Sequence, residues 1–347
     1  MTVGSTALSE RQETILALII HEFIEHAEPV GSKRLVERYG LGVSSATVRN
    51  EMTVLTEAGY LRQPHTSAGR VPTEQGYRYF VRGLLGETDL PAEEKRLIRH
   101  QFHQAPVAME EWVRLAASVL AHHSRVASLV TAPRPDRTAF KHLELIATQS
   151  RQVLLVLVLE GGEVRQQMLT LAEPVDQTRL RQTAEQITRA CAGQDASGVQ
   201  AQTTRFGVLG QEIARLVAEV LERADELSTG HLYRDGLSNV LAQPEFADSE
   251  RGRSALHLLE EHSLLEEVLA KALSPSIGGV QVVIGGEGAW EELRDYSMVL
   301  ARYGAAGYAT GALAVLGPTR MAYGRSISAV RYVAGLMSNL VLEAFAA

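Results

Sequence analysis

The sequence predicts a multidomain α+β protein that opens with a winged helix-turn-helix. Three observations carry that expectation. The first eighty-odd residues alternate short capped helices with a single hairpin, ended by "GYLRQPHTSAGRVPT". Strand-like runs then appear at 142–173 and return only after residue 280. The stretch between them is helical in pattern, so one α+β sheet interrupted by an insertion is the simplest arrangement. At 347 residues, two or three domains are expected.

Ser9 with Gln12 three positions on has the capping-box form and opens a first helix through Ile15, Leu18, Ile19 and Phe23. Glu28-Pro29-Val30-Gly31 ends it, because proline disfavours helical geometry in the residue before it. Ser32 is expected to cap a second helix, "SKRLVERY", closed by Gly40-Leu41-Gly42. Ser44 is expected to cap a third, in which Val48, Met52 and Leu55 recur on one face and which stops at Gly59. Ser45, Ala46, Arg49, Asn50 and Thr53 turn away from that stripe. Tyr60-Leu61-Arg62-Gln63 reads as a strand, with Gly69 and Arg70 leading into its return partner. Thr73 caps a further helix burying Tyr77, Phe80, Val81 and Leu84, with Arg78 and Arg82 on its outer face.

Two short helices joined by a glycine-bearing turn form a helix-turn-helix layout. Arg can grip guanine O6 and N7 with two bonds, Asn can do the same at adenine, and small residues permit close approach to the groove. A solvated face on an ordinary helical bundle explains the same spacing. The hairpin that follows shifts the balance, since a wing lies along the phosphate backbone or reaches the minor groove. Net charge is −7, yet Lys33, Arg34, Arg38, Arg49, Arg62, Arg70, Arg78 and Arg82 between Pro29 and Gly86 face only Glu37, Glu51, Glu57 and Glu74. Local potential is what an anionic partner meets. The candidate DNA contacts are therefore Ser44, Ser45, Ala46, Thr47, Arg49, Asn50 and Thr53 on the third helix. Lys33, His65, Thr66, Ser67 and Arg70 are expected at the backbone and wing.

"EPVGSKRLVERYGLGVSSATVRNEM" followed by "GYLRQPHTSAGRVPTEQGYRYFV" resembles the N-terminal signature of the HrcA family of heat-inducible transcription repressors. "LSNVLAQPEF" and "GALAVLGPTRMAYGRSISAVRYVAGLMSNLV" resemble it as well, while about 177–227 match only loosely. The resemblance implies a homodimeric repressor of chaperone operons that binds double-stranded DNA at an inverted-repeat operator. It implies regulation by the GroEL chaperonin and inactivation on heat stress. It also implies a GAF-like α/β domain with an inserted α+β dimerisation domain. The expected boundaries are a winged helix over 1–86 and a linker over 87–106. The GAF-like domain would take 107–175 and 251–347, with the insertion over 176–250. Two other readings stay open: a small molecule bound by the GAF-like domain controlling the winged helix, or a winged helix used only for protein contacts.

The remaining residues point away from chemistry. "IGGEGAW" from Ile284 imitates a phosphate loop but lacks the third glycine of the dinucleotide fingerprint. His122 and His123 are neighbours about 100° apart on a helix, a poor metal pair, and "HLLEEH" at 257–262 has the wrong spacing for a zinc helix. Cys191 cannot form an internal disulfide. No enzyme, cofactor or metal is expected. The longest strongly apolar run, Val153 to Leu159, is far too short to cross a bilayer, and the N-terminus has no apolar secretory core, so a cytoplasmic protein without membrane contact is expected.

Overall fold

A computed structural model gives the architecture. It describes residues 8–65, 68–106, 108–135, 139–149, 151–160, 164–226, 232–246, 257, 261, 265, 268–269, 276–285, 290–306 and 308–346. Two compact units emerge: Met1–Pro133 with His231–Ala305 and Gly311–Ala347, and Arg134–Gly230 with Ala306–Thr310.

The first unit begins with α1 (Glu10–His26), α2 (Ser32–Tyr39) and α3 (Ser45–Glu57). Ser9 caps α1 with the full reciprocal box expected from Gln12. Val30 and Arg70 exchange two backbone hydrogen bonds of 2.9 Å, tying the α1–α2 turn to the hairpin. The cap of α2 is Gly31, without a side-chain bond, and Ser32 is instead the first helical residue and buried. The sequence expectation for Ser32 fails because its hydroxyl lies one position inside the helix. Ser44 does cap α3, accepting from the Thr47 N–H, and Val48, Met52 and Leu55 are buried as their spacing requires.

The hairpin is short: β1 (Leu61–Arg62) pairs antiparallel with β2 (Val71–Pro72). Gly69 lies so close to the α1–α2 turn that a Cβ would stand 2.4 Å from Val30 O. Thr73 caps α4 (Glu74–Tyr79), which continues as a wider turn over Phe80–Leu84. Tyr77 and Phe80 are buried, but Val81 and Leu84 are only half-buried.

The segment expected to be a linker contains α5 (Ala92–Gln104), which buries Ile98 and Phe102. Then comes α6 (Met109–Ser124), where His123 is buried with its Nδ1 2.9 Å from Glu94, a satisfied core histidine. The unit's sheet has strand order β8-β3-β11-β10-β9, formed by β3 (Ala127–Thr131), β8 (Leu232–Asp235), β9 (Val280–Ile284), β10 (Tyr296–Ala305) and β11 (Ala309–Pro318). β3 and β8 were not legible in the sequence. β3 is five residues, all buried, running straight on from a helix of similar composition. The short helix α10 (Leu237–Leu241) follows β8, and α11 (Tyr323–Ala346) packs along β10, burying Val330, Val333 and Met337.

The second unit holds β4 (Arg134–Pro135), a three-stranded antiparallel sheet and three helices. The sheet is β5 (Phe140–Gln149), β6 (Gln152–Leu159) and β7 (Val164–Thr170), with β6 central. The helices are α7 (Gln177–Cys191), α8 (Ala196–Gln202) and α9 (Val208–Glu226). Leu143, Leu145, Leu155 and Leu157 from one sheet face meet Leu180, Ile187, Ile213 and Val217 in a single core. Cys191 is fully buried there, and burial raises its thiol pKa. Where the sequence put the start of an insertion at 176, the compact unit starts at Arg134 and takes in all three strands. The reason is that β5–β7 bury their apolar face against α7 and α9 rather than against the other sheet.

Among the described residues, no helix is long and apolar enough to cross a membrane. Most of "IGGEGAW" and most of "HLLEEH" lie outside the described residues.

Candidate nucleic-acid interface

The face of α3 opposite Val48, Met52 and Leu55 carries the residues singled out from sequence. Ala46, Arg49, Asn50 and Thr53 are exposed, and Ser45 and Thr47 are half-buried. Among the described residues, neither Arg49 nor Asn50 has a side-chain partner, so both forks are available. The Thr53 hydroxyl donates to Arg49 O at 3.0 Å. Ser44 Oγ is taken up by its cap, accepting from the Thr47 N–H at 3.1 Å and lying 3.0 Å from Thr47 Oγ1. Those two hydroxyls fix the helix start and leave their outer lone pairs to a partner.

Glu51 shares this helix, and a free carboxylate there would repel a phosphate backbone. It does not stand free. Gln12 Nε2 donates to it at 3.1 Å, and Arg11 lies 3.6 Å away, both from α1. Sequence spacing gives no hint of that pairing, since the partners are 39 residues apart.

Near the hairpin, Lys33 is exposed, with Glu37 of its own helix at 3.7 Å. His65 is exposed at the hairpin's described edge, while Thr66 and Ser67 lie outside the described residues. Arg70 is half-buried, and its Nε donates at 3.0 Å to Thr56 Oγ1, whose proton goes to Met52 O at 2.7 Å. This pins the hairpin arginine to the last turn of α3, fixing where its terminal NH2 groups can point.

Three basic residues counted toward the local positive charge are held by partners within the chain instead. Arg34 Nε and Arg38 Nη1 lie 2.8 and 2.9 Å from the two carboxylate oxygens of Glu22, which is fully buried. Tyr39 Oη donates to the same carboxylate at 2.8 Å, and burial, then that bond, raises the tyrosine's pKa. Arg78 bonds Glu74 at 2.8 Å and Ile284 O at 3.1 Å, so it braces α4 rather than lying on an outer face. Glu22 lies outside the window counted from sequence, which is why the tally overstated the free charge. With Glu25 and His26, Glu22 also forms the one His/Asp/Glu cluster of metal-ligand size among the described residues. The two guanidiniums already neutralise it, and an added cation would have to displace them.

These elements define a class: an α/β protein whose N-terminal helices and hairpin present a fixed, polar helix face flanked by basic side chains. The chain's C-terminal portion matches the family model described as the HrcA protein C-terminal domain over residues 110–327. It is 44% identical to the heat-inducible transcription repressor HrcA of Roseiflexus castenholzii, covering 98% of this chain and 96% of that one. Similar proteins of the same name come from Chloroflexus aurantiacus, at 44% identity over 98% and 96% of the two chains, and Thermomicrobium roseum, at 41% over 98% and 97%. The chain belongs to the HrcA family. Among solved structures, a hypothetical protein shares the fold with a TM-score of 0.62 at 23% identity, over 97% of this chain and 99% of that one.

Proposed function

We propose that the chain is a homodimeric heat-inducible transcriptional repressor whose N-terminal 86 residues act as a winged helix on an inverted-repeat operator. The observation that carries the reading is the pair Arg49 and Asn50, exposed and unpartnered among the described residues on a helix whose other face is fully packed. In this reading Arg49, Asn50, Ser45, Ala46 and Thr53 meet base edges. Lys33, Ser44, Thr47, His65, Thr66, Ser67 and Arg70 serve the phosphate backbone and the wing. Two half-sites related by the operator's symmetry match the two-fold symmetry of a dimer.

The second unit is the proposed dimerisation domain, inserted in a GAF-like domain. Support comes from the sheet face turned away from α7 and α9. On it Ile146, Val164 and Met168 are 44%, 51% and 52% exposed, next to half-buried Leu154, Val156 and Val158. A contiguous apolar patch on a sheet marks an interaction surface. In this reading activity is aided by the GroEL chaperonin and lost on heating; the relatives' shared name, heat-inducible transcription repressor, supports the response to heat. A cytoplasmic, non-enzymatic role belongs to the same reading.

The test is fluorescence anisotropy on a labelled inverted repeat from upstream of a chaperone operon, against a scrambled duplex, across salt concentrations and with or without chaperonin. The repeat should be preferred by about 10³ or more. Arg49→Ala or Asn50→Ala should cost about 1–3 kcal/mol on the operator and blur its sequence preference, whereas Lys33→Ala should weaken both duplexes alike and flatten the salt slope. An Arg49→Ala protein that discriminates as well as wild type would remove the recognition-helix assignment.

A further inference from the structure

Arg320 lies between β11 and α11, far along the chain from the helix-turn-helix, yet it bonds to α1 within the same compact unit. Its side chain is 11% exposed. Nε and Nη2 grip the two carboxylate oxygens of Glu245, Nη2 also donates to Gln243 Oε1 at 2.8 Å, and Nη1 donates to Ile24 O at 2.9 Å. One planar group thus gathers three stretches of chain: the β11–α11 segment, residues 243–246 and the last turn of α1.

The bond to Ile24 sits where α1 needs one. The last four carbonyls of a helix have no partner within it, and a cation there also meets the negative end of the helix dipole. Ile24 O is among those four in α1, which ends at His26. From Ile24, α1 runs back about 18 Å, at 1.5 Å per residue, to Gln12 and Arg11, which hold Glu51 of α3. Glu22, beside the gripped end, holds Arg34 and Arg38 of α2. So α1 is the rod that carries the DNA-facing helix. A tilt of about 10° at the Ile24 end would swing the far end by about 3 Å, close to one base-pair step along DNA.

The other contacts across this junction are single ones. Thr88 Oγ1 donates to Gly324 O at 3.1 Å, and Arg78 donates to Ile284 O at 3.1 Å from a side chain 30% exposed. Tyr77 packs on Tyr323 with ring centroids 5.7 Å apart, but its buried hydroxyl has no hydrogen-bond partner, which subtracts from that contact. Arg320 brings a charged, forked and nearly buried group, the geometry that makes strong bonds.

We propose that Arg320 is a positioning residue for operator reading. It fixes α1, and through α1 the Arg49–Asn50 face of α3, against the C-terminal part of the unit, so that the module meets DNA in one orientation. A dimer gains fully from its second half-site only when the module is held in place beforehand, because preorganisation sets the effective concentration of the second contact. The operator role rests on the winged-helix reading, whereas the hold on α1 does not.

Two measurements test it. Nitroxide labels at Glu57→Cys on α3 and Leu342→Cys on α11, both exposed, give the distance distribution within one chain by double electron–electron resonance when labelled protein is diluted with unlabelled; Cys191 is buried and stays unlabelled. Wild type should show one narrow distribution, and Arg320→Ala one at least about twice as broad, because the loss frees a collective motion of the module. Glu245→Gln, which leaves Arg320 and α1 intact, should broaden it to a lesser degree. In the second measurement, anisotropy compares a duplex carrying one half-site with the full inverted repeat. Arg320→Ala should keep half-site affinity within about twofold and lose about tenfold on the full repeat. An unchanged distance width in either variant would overturn the proposal. So would full-repeat affinity at or above wild type, or an equal loss on both duplexes, which marks damage to the module rather than to its placement. A wild-type chain with no preference for the repeat over a scrambled duplex removes the operator reading alone, and the distance widths then decide whether Arg320 holds the module.

Discussion

Replacing Glu22 with Gln should loosen the N-terminal module more than any single change on its surface. Glu22 is completely buried: its Oε1 accepts from Tyr39 Oη at 2.8 Å and lies 2.9 Å from Arg38 Nη1, and its Oε2 lies 2.8 Å from Arg34 Nε in an ion pair. A hydrogen bond to a charged group contributes about 1.5–3 kcal/mol, and breaking a buried pair typically costs about 3–5 kcal/mol. Glutamine keeps one acceptor oxygen but turns an amide NH2 toward a guanidinium, so at least one strong bond is lost and a donor faces a donor. Against this, Arg34 and Arg38 are 33% and 41% exposed and can recover water. The net expectation is about 3 kcal/mol, or roughly a hundredfold in an opening equilibrium. A multidomain chain has no single well-defined melting temperature, so the assay is amide hydrogen exchange, which reports local opening. Amides of α1–α3 should lose protection by roughly a hundredfold while those of β5–β7, in the other compact unit, keep theirs. A loss below about threefold in α1–α3 would mean that water screens the cluster and that burial of the carboxylate has been overvalued.

Gly69→Ala places a Cβ 2.4 Å from Val30 O, so the Val30–Arg70 bridge must open. Duplex affinity should fall for operator and scrambled DNA alike, and anisotropy with an unchanged affinity would refute it. Thr56→Val removes the acceptor that orients Arg70 Nε; its operator affinity should drop by about 0.5–1.5 kcal/mol, with α3 protection from exchange unaltered. On the outer face of β7, Met168→Arg should leave the fold intact yet shift the protein toward monomer in sedimentation, and an undiminished dimer would place the interface elsewhere. At alkaline pH, Tyr79 is pushed up to about 12, chiefly by its hydrogen bond to Glu13, and Tyr296 to about 12, chiefly by burial. Burial also raises Tyr77, Tyr303 and Tyr323. Folded pKa values above the unfolded value of about 10 mean stability fully present below pH 10 and lost as pH climbs through 10 to 12. Tyrosinate absorbance should therefore rise in two stages, the second coinciding with unfolding; a single rise near pH 10 with the fold intact would contradict it.

Capping and periodicity made much of the N-terminal module readable. The Ser9–Gln12 box, the Ser44 and Thr73 caps, and the Val48-Met52-Leu55 stripe all depend on successive residues no more than four positions apart. Such local patterns survive in any context that buries the apolar face. β9, β10 and β11 were legible for the same reason, as apolar runs between turn residues. β3 and β8 were not: only two residues separate the end of α6 from β3, and two of the four residues of β8 are charged, so neither stands out as an apolar run between turn residues. The candidate interface divides along the same line. That Arg49 and Asn50 face outward follows from helical geometry. That Arg70 is anchored to Thr56, and Glu51 held by Gln12 and Arg11, depends on elements that meet only after folding.

The sequence alone determined which helix face could meet a partner and which side chains it would offer, since 3.6 residues per turn fixes direction without any tertiary information. Tertiary structure alone decided which of the basic residues remain free. Arg34, Arg38 and Arg78 look equivalent to Arg49 in a count of charge, yet the fold turns the first two onto Glu22 and the third onto Glu74 and Ile284. It also decided that β5–β7 side with α7 and α9, because apolar strands bury against whichever helices the chain brings beside them. Electrostatic and packing partners are matters of distance in space, and positions 206 residues apart in the chain, as Arg78 and Ile284 are, carry no mark of their meeting.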